Sequence, residues 1–145
     1  MNAGTQLEST QDPAAVAAFV ATLDPATAED SRVLIALMRR LSGHEPRLWN
    51  LGTLGFGMYR YKYDTGREGD CHVLGFHPRK GKTTIYLMDG TARHAERLSR
   101  LGRHTATRVC VYVRRLSDLQ LNVLEEILLE SQAYLKVHDG QMHRV

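Results

Sequence analysis

Cysteine is scarce in this chain, with Cys71 and Cys110 the only two among 145 residues. Their spacing makes neither a CxxC pair nor a disulfide framework, which excludes a stapled secreted scaffold and leaves two ordinary reduced thiols. Long apolar runs are missing as well. The longest, Ala14 to Ala21, falls far short of the ~20 residues that a membrane-spanning helix needs. No basic stretch precedes it as in a secretion signal, so the expected location is the cytoplasm and no membrane partner is expected. An excess of one charge is also lacking. Nineteen Lys and Arg against sixteen Asp and Glu leave a formal charge of +3, a mild bias toward anionic partners that does not demand a nucleic acid.

What is present suits one domain. A hydrophobic content of 43% over this length can bury a continuous core without staples. Residues 1–11 are polar and aperiodic and read as a mobile leader, 12–135 as a single domain, and 136–145 as a polar tail. Asp12-Pro13 and Asp24-Pro25 are helix-start signals. Behind the first, Val16, Phe19, Val20 and Leu23 follow helical spacing; behind the second, Val33, Leu34, Leu37, Met38 and Leu41 do, ending at Gly43.

The middle of the chain alternates with period two. Leu54, Phe56 and Met58 are expected on one strand face, with Gly55, Gly57, Tyr59, Tyr61 and Tyr63 on the other. Strands over 71–76 and 82–88, separated by the turns 64–69 and 78–81, complete an antiparallel meander. A short helix over 91–101, a fourth strand over 108–114, and a last helix introduced by a Ser117-x-x-Gln120 capping box follow. The fold class is therefore α+β: an antiparallel sheet of four to six strands with N-terminal helices and a C-terminal helix on one face.

Chemistry is thin. Gly55-Phe56-Gly57 with Tyr59 and Tyr61 is a poor RNA-recognition motif, because Leu54 stands where a cation belongs and the element order is wrong. Gly52, Gly55 and Gly57 open no helix, so they are no dinucleotide fingerprint. The histidines offer no ligand pair on a helix, and the odd spacing of His72 and His77 puts them on opposite strand faces, so no metal site is expected. No nucleophile elbow or carboxylate pair marks a catalytic residue. The cationic turn Arg79-Lys80 and the segment Arg103-His104 remain, a pair of basic loops that would grip a phosphate or carboxylate if the fold brings them together.

Several blocks in order, Glu45-Pro46-x-x-Trp49, Gly55-Phe56-Gly57-x-Tyr59-x-Tyr61-Lys62-Tyr63, Gly66-Arg67-Glu68-Gly69-Asp70, Gly75-Phe76-x-Pro78-Arg79-Lys80, Tyr86-Leu87-Met88-x-Gly90 and Leu101-Gly102-x-His104, closely resemble the YdhG-like family, domain of unknown function 1801. The resemblance implies a frataxin-like fold and a family largely without assigned activity, in which an iron-chaperone role has been discussed. His77 stands where that family often has serine, and Thr105-Ala106-Thr107 replaces a commoner Lys-Thr-Gly. The expected function is a non-catalytic module that binds a small anionic ligand or a protein partner at Arg79, Lys80, Arg103 and His104, without a cofactor. The alternative is a frataxin-like iron-binding protein using Asp64, Glu68, Asp70 and His72, with iron as its only cofactor. Against it, the first helix lacks the acidic ridge of frataxins. An exposed sheet edge leaves a homodimer open.

Overall fold

The computed structural model describes residues 8–63, 66, 68–138 and 142–143. Both Asp-Pro signals act as the sequence expects. Asp12 accepts the Ala14 N–H at 3.0 Å to open α1 (Pro13–Ala21), and Asp24 accepts the Thr27 N–H at 3.2 Å to open α2 (Pro25–Ser42). Gly43, at φ 74°, ends α2 in the left-handed conformation that only glycine adopts without strain, its N–H bonded to the Arg39 carbonyl at 2.9 Å.

The strands are β1 (Ser9–Thr10), β2 (Arg47–Trp49), β3 (Leu54–Tyr63), β4 (Glu68–His77), β5 (Thr83–Tyr86), β6 (Thr105–Ala106), β7 (Cys110–Val113) and β8 (Met142–His143). Seven of them form one antiparallel sheet in the order β1-β2-β3-β4-β5-β7-β6, and β8 runs parallel beside β3. The sheet exceeds the expected four to six strands because β1, β2 and β6 are two or three residues long, too short to show a period. Ser9 and Thr10, inside the expected leader, are edge-strand residues. Residues 1–7 and, in the tail, 139–141 and 144–145 lie outside the described residues.

Helix α2 packs on β3 and β4, and α4 (Leu121–Val137) packs on β4 and α2. The short α3 (Ala95–Leu101) packs on α4. Between them and the sheet lies a core that includes Leu34, Met38, Leu54, Phe56, Leu74, Phe76, Ile85 and Leu128, all fully buried. Among the described residues, no helix is long and apolar enough to cross a membrane.

The strand phase departs from the expected alternation at one point. Leu54 pairs with Phe76 and Phe56 with Leu74, both pairs facing the helices, but the ladder then skips Gly57 and Val73 before resuming at Met58 and His72. Gly57 sits at φ 71°, which turns the strand over. Consequently Val73 and Leu74 are both core residues, Tyr59 enters the core at 6% exposure, and Met58, expected beside Phe56, is 46% exposed. Glycine at 57 permits what simple alternation forbids.

Two buried carboxylates clamp the layers. Asp30 of α2 accepts Arg115 Nε at 2.8 Å, Arg115 Nη2 at 3.2 Å and the Leu116 N–H at 3.1 Å, holding the connection between β7 and α4. That connection is a 3-10 turn over Leu116–Asp118, also tied to Gly102 by a bridge at Leu119, so Ser117 is consumed by the turn. The expected capping box does not form, and α4 begins after Gln120 with no side-chain cap. Asp89, whose side chain is 0% exposed, accepts Ser131 Oγ at 2.7 Å, His94 Nε2 at 2.8 Å and Arg93 Nε at 3.2 Å. It fastens the loop after β5 to α4.

Candidate ligand-binding face

The register decides what the second sheet face carries. Gly55 opposes Gly75, and both alternate with core residues, so both point away from the helices. The missing side chains leave a shallow seat, which the His72 ring fills. A Cβ at Gly75 would meet His72 Cε1 and Nδ1 at 2.7 Å, and one at Gly55 would meet His72 Cβ at 2.8 Å. His72 therefore lies on the helix-free face together with His77, which shares the parity of Gly75. The expectation of opposite faces fails because the phase break falls between the two histidines.

Beside the seated ring is a cavity of about 380 Å³ lined by Trp49, Leu51, His72, Tyr86, Met88 and Val109, and also by Thr53, Asp70 and Cys71. Leu51, at 68% exposure, stands on its rim. Two side-chain nitrogens, Trp49 Nε1 and His72 Nδ1, are shut from solvent and hydrogen-bonded to no described group. The His72 and Tyr86 rings meet at 5.2 Å between centroids, tilted by 50°.

Burial sets the charge of the lining. It pushes His72 down to about 4 and Cys71 up to about 11. It also raises Tyr86, against a hydrogen bond to Thr53 and the Arg79 charge. At neutral pH the imidazole, thiol and phenol are all uncharged. Thr53 Oγ1 lies 3.0 Å from His77 Nδ1, and burial followed by the Arg79 charge lowers His77 as well. The face thus runs from a neutral aromatic cavity, through Thr53, toward a guanidinium.

The four residues singled out from sequence fall at one end of the sheet. Arg79 and Lys80 occupy the exposed turn before β5, and Arg103 and His104 the segment before β6. Because Thr83 pairs with Val113 and Thr105 with Tyr112, the two segments leave the same sheet end on either side of β7. Among the described residues no hydrogen bond or ion pair joins them. His104 Nδ1 lies 2.8 Å from the Gly102 carbonyl, and the Lys80 charge bears on Asp24. The Arg79 charge acts on two groups of the helix-free face, Tyr86 and His77. Lys82 lies 4.7 Å from the Tyr112 ring centroid on that face.

Of the residues considered for iron, Glu68, Asp70 and His72 are described. Arg60 reaches Glu68 at 2.6 Å and Asp70 at 3.3 Å, and His72 is turned onto its glycines. Asp64 lies outside the described residues. Among the described residues, no group of three His, Cys, Asp or Glu side chains could hold a metal ion.

Sequence reasoning missed Trp49, Leu51, Tyr86 and Met88 as site residues. The readable signal was the cross-strand pairing of Gly55 with Gly75, which leaves room for a ring, but it requires the register first. Compared with known proteins, the chain matches no family model, no curated protein and no solved structure.

Proposed function

We propose that this chain is a non-catalytic module that binds a small anionic ligand on the helix-free face of its sheet. The carrying observation is the cavity of about 380 Å³ walled by Trp49, Tyr86, Met88 and Leu51, with Arg79 bearing on one of those walls. Its size and apolar lining with few polar groups suit a small molecule rather than a protein surface. The apolar body of the ligand rests between the aromatic walls, and its carboxylate or phosphate reaches toward Arg79, with Lys80 and Arg103 adding positive charge at that sheet end and His104 beside them. This agrees with the YdhG-like resemblance in assigning no reaction, and no feature of the described residues favours the iron reading over it.

The test is calorimetric titration with 2-naphthoate and with the neutral naphthalene-2-methanol. Saturable one-site binding is expected for the carboxylate. Arg79→Ala should weaken it about tenfold, the scale of one charge-assisted contact, and make it resemble the alcohol. Leu51→Asp, which puts a negative charge on the rim, should weaken both probes. Absence of saturable binding, or affinities unchanged in both variants, overturns the proposal.

A further inference from the structure

A second cavity, of about 400 Å³, opens beside Trp49 and is lined by Gln11, His44, Arg47, Met58 and the glycines at 55 and 57. Register puts Arg47 on the helix-free face, because it pairs with Gly55, which points away from the helices. Three arginines are half-buried among the described residues, and two of them meet carboxylates, Arg97 at Glu126 and Arg115 at Asp30. Arg47 meets only neutral acceptors. Its Nη1 donates to Ser9 Oγ at 3.1 Å and its Nη2 to Gln11 Oε1 at 3.2 Å. Each of those nitrogens carries a second N–H that these bonds leave over. Gln11 is itself held, donating Nε2 to the Glu45 carbonyl at 3.2 Å, and the Glu45 carboxylate pairs with Arg39 at 3.2 Å. Among the described residues, no Asp or Glu lines this cavity.

We infer that this cavity is a second binding site, which takes a phosphate group, free or at the end of a small molecule, on the Arg47 guanidinium. A guanidinium drawn half out of water without a counter-charge is costly, and an anion relieves that cost. Its planar fork matches phosphate oxygens in pairs. Ser9 and Gln11 fix the fork beforehand, so binding loses little side-chain freedom. At Gly55 and Gly57 a ligand meets main chain instead of side chains, which lets a tetrahedral group come close. A phosphate brings more charge and more acceptor oxygens than a carboxylate at neutral pH. Gln11, His44 and Arg47 make this lining polar where the first cavity is apolar, and the two cavities share only Trp49. The inference goes beyond the binding reading above and does not depend on it.

The experiment titrates the nitrogen-15-labelled full chain with inorganic phosphate, methyl phosphate and acetate at about pH 7.5 and constant ionic strength. Phosphate should move the Arg47 Nε–H resonance and the Gly55 and Gly57 amides along one saturable curve, a readout that needs no variant. Saturation by methyl phosphate alone would assign the site to a phosphomonoester, and saturation by inorganic phosphate alone to the free ion. Acetate should bind about tenfold more weakly. Arg47→Met should weaken phosphate about tenfold, the scale of one charge-assisted hydrogen bond, and Arg47→Lys, which keeps the charge but not the fork, should lose less. Arg79→Ala should leave the curve unchanged. The inference fails if neither phosphate moves these resonances, if acetate binds as tightly, or if Arg79→Ala abolishes the response. Binding of 2-naphthoate in the first cavity is read at Leu51 and Met88, so that reading stands or falls separately.

Discussion

Acidifying the solution from about pH 7.5 to about pH 5 should cost the fold about 2 kcal/mol through His72 alone. In the unfolded chain this imidazole titrates near its ordinary value of about 6.5, whereas burial against Gly55 and Gly75 pushes it down to about 4 in the fold. Between those values the unfolded chain binds a proton that the folded chain refuses, so stability rises with pH across the window and falls on acidification. Integrating the two titrations down to pH 5 gives the figure of about 2 kcal/mol, or roughly 4–8 °C in the unfolding midpoint for a chain of this length. His77, lowered by burial and by Arg79, adds to the slope in the same direction. The assay is urea unfolding followed by far-ultraviolet circular dichroism at several pH values, on wild type and His72→Gln. The variant should start less stable at neutral pH yet lose about 2 kcal/mol less on acidification. Equal losses in the two proteins would refute a buried, uncharged His72.

Asp89→Ala should destabilise by about 3–5 kcal/mol, because it strands Ser131, His94 and Arg93 around a lost charge; a loss below about 1 kcal/mol in urea unfolding would remove its role as a clamp. Burial alone would raise the Asp89 carboxyl, but the bonds from His94, Ser131 and Arg93 hold it below its ordinary value. Its contribution is therefore fully present above about pH 4, the ordinary carboxyl range, and is lost as the pH falls further. At about pH 8, Cys71, at about 11, should be alkylated by iodoacetamide roughly two orders of magnitude more slowly in the fold than in urea. Site-resolved mass spectrometry reads this directly, and equal rates would place the thiol outside the sheet. Gly57→Ala should cost about 1–2 kcal/mol for a side chain at φ 71°, and an unchanged unfolding midpoint would mean that the strand does not turn over there.

The helices were legible because their signals are local. Asp12-Pro13, Asp24-Pro25 and Gly43 each act through bonds to residues two to four positions away, so composition and spacing suffice. The central hairpin was legible as strands but not in phase. Alternation predicts Met58 beside Phe56, and only the left-handed Gly57 explains why Tyr59 is buried instead. The edge strands carry no period to read. For the site, charge drew attention to Arg79, Lys80, Arg103 and His104, which do lie at one sheet end. The cavity escaped notice because its walls come from β2, the loop behind it, β4 and the end of β5, brought together only by register. Gly55 and Gly75, twenty positions apart, mean nothing singly and form a histidine seat once paired.

The most direct measurement is chemical-shift mapping of 2-naphthoate on the nitrogen-15-labelled protein, in which Trp49, the one tryptophan of the chain, gives a single indole N–H resonance. A ligand on the helix-free face should move that resonance together with the amides of Leu51, His72, Tyr86 and Met88 in one saturable curve, and leave α2 and α4 still. Shifts confined to the helices, or a motionless Trp49 indole at saturation, would contradict the assignment of this face as the binding site.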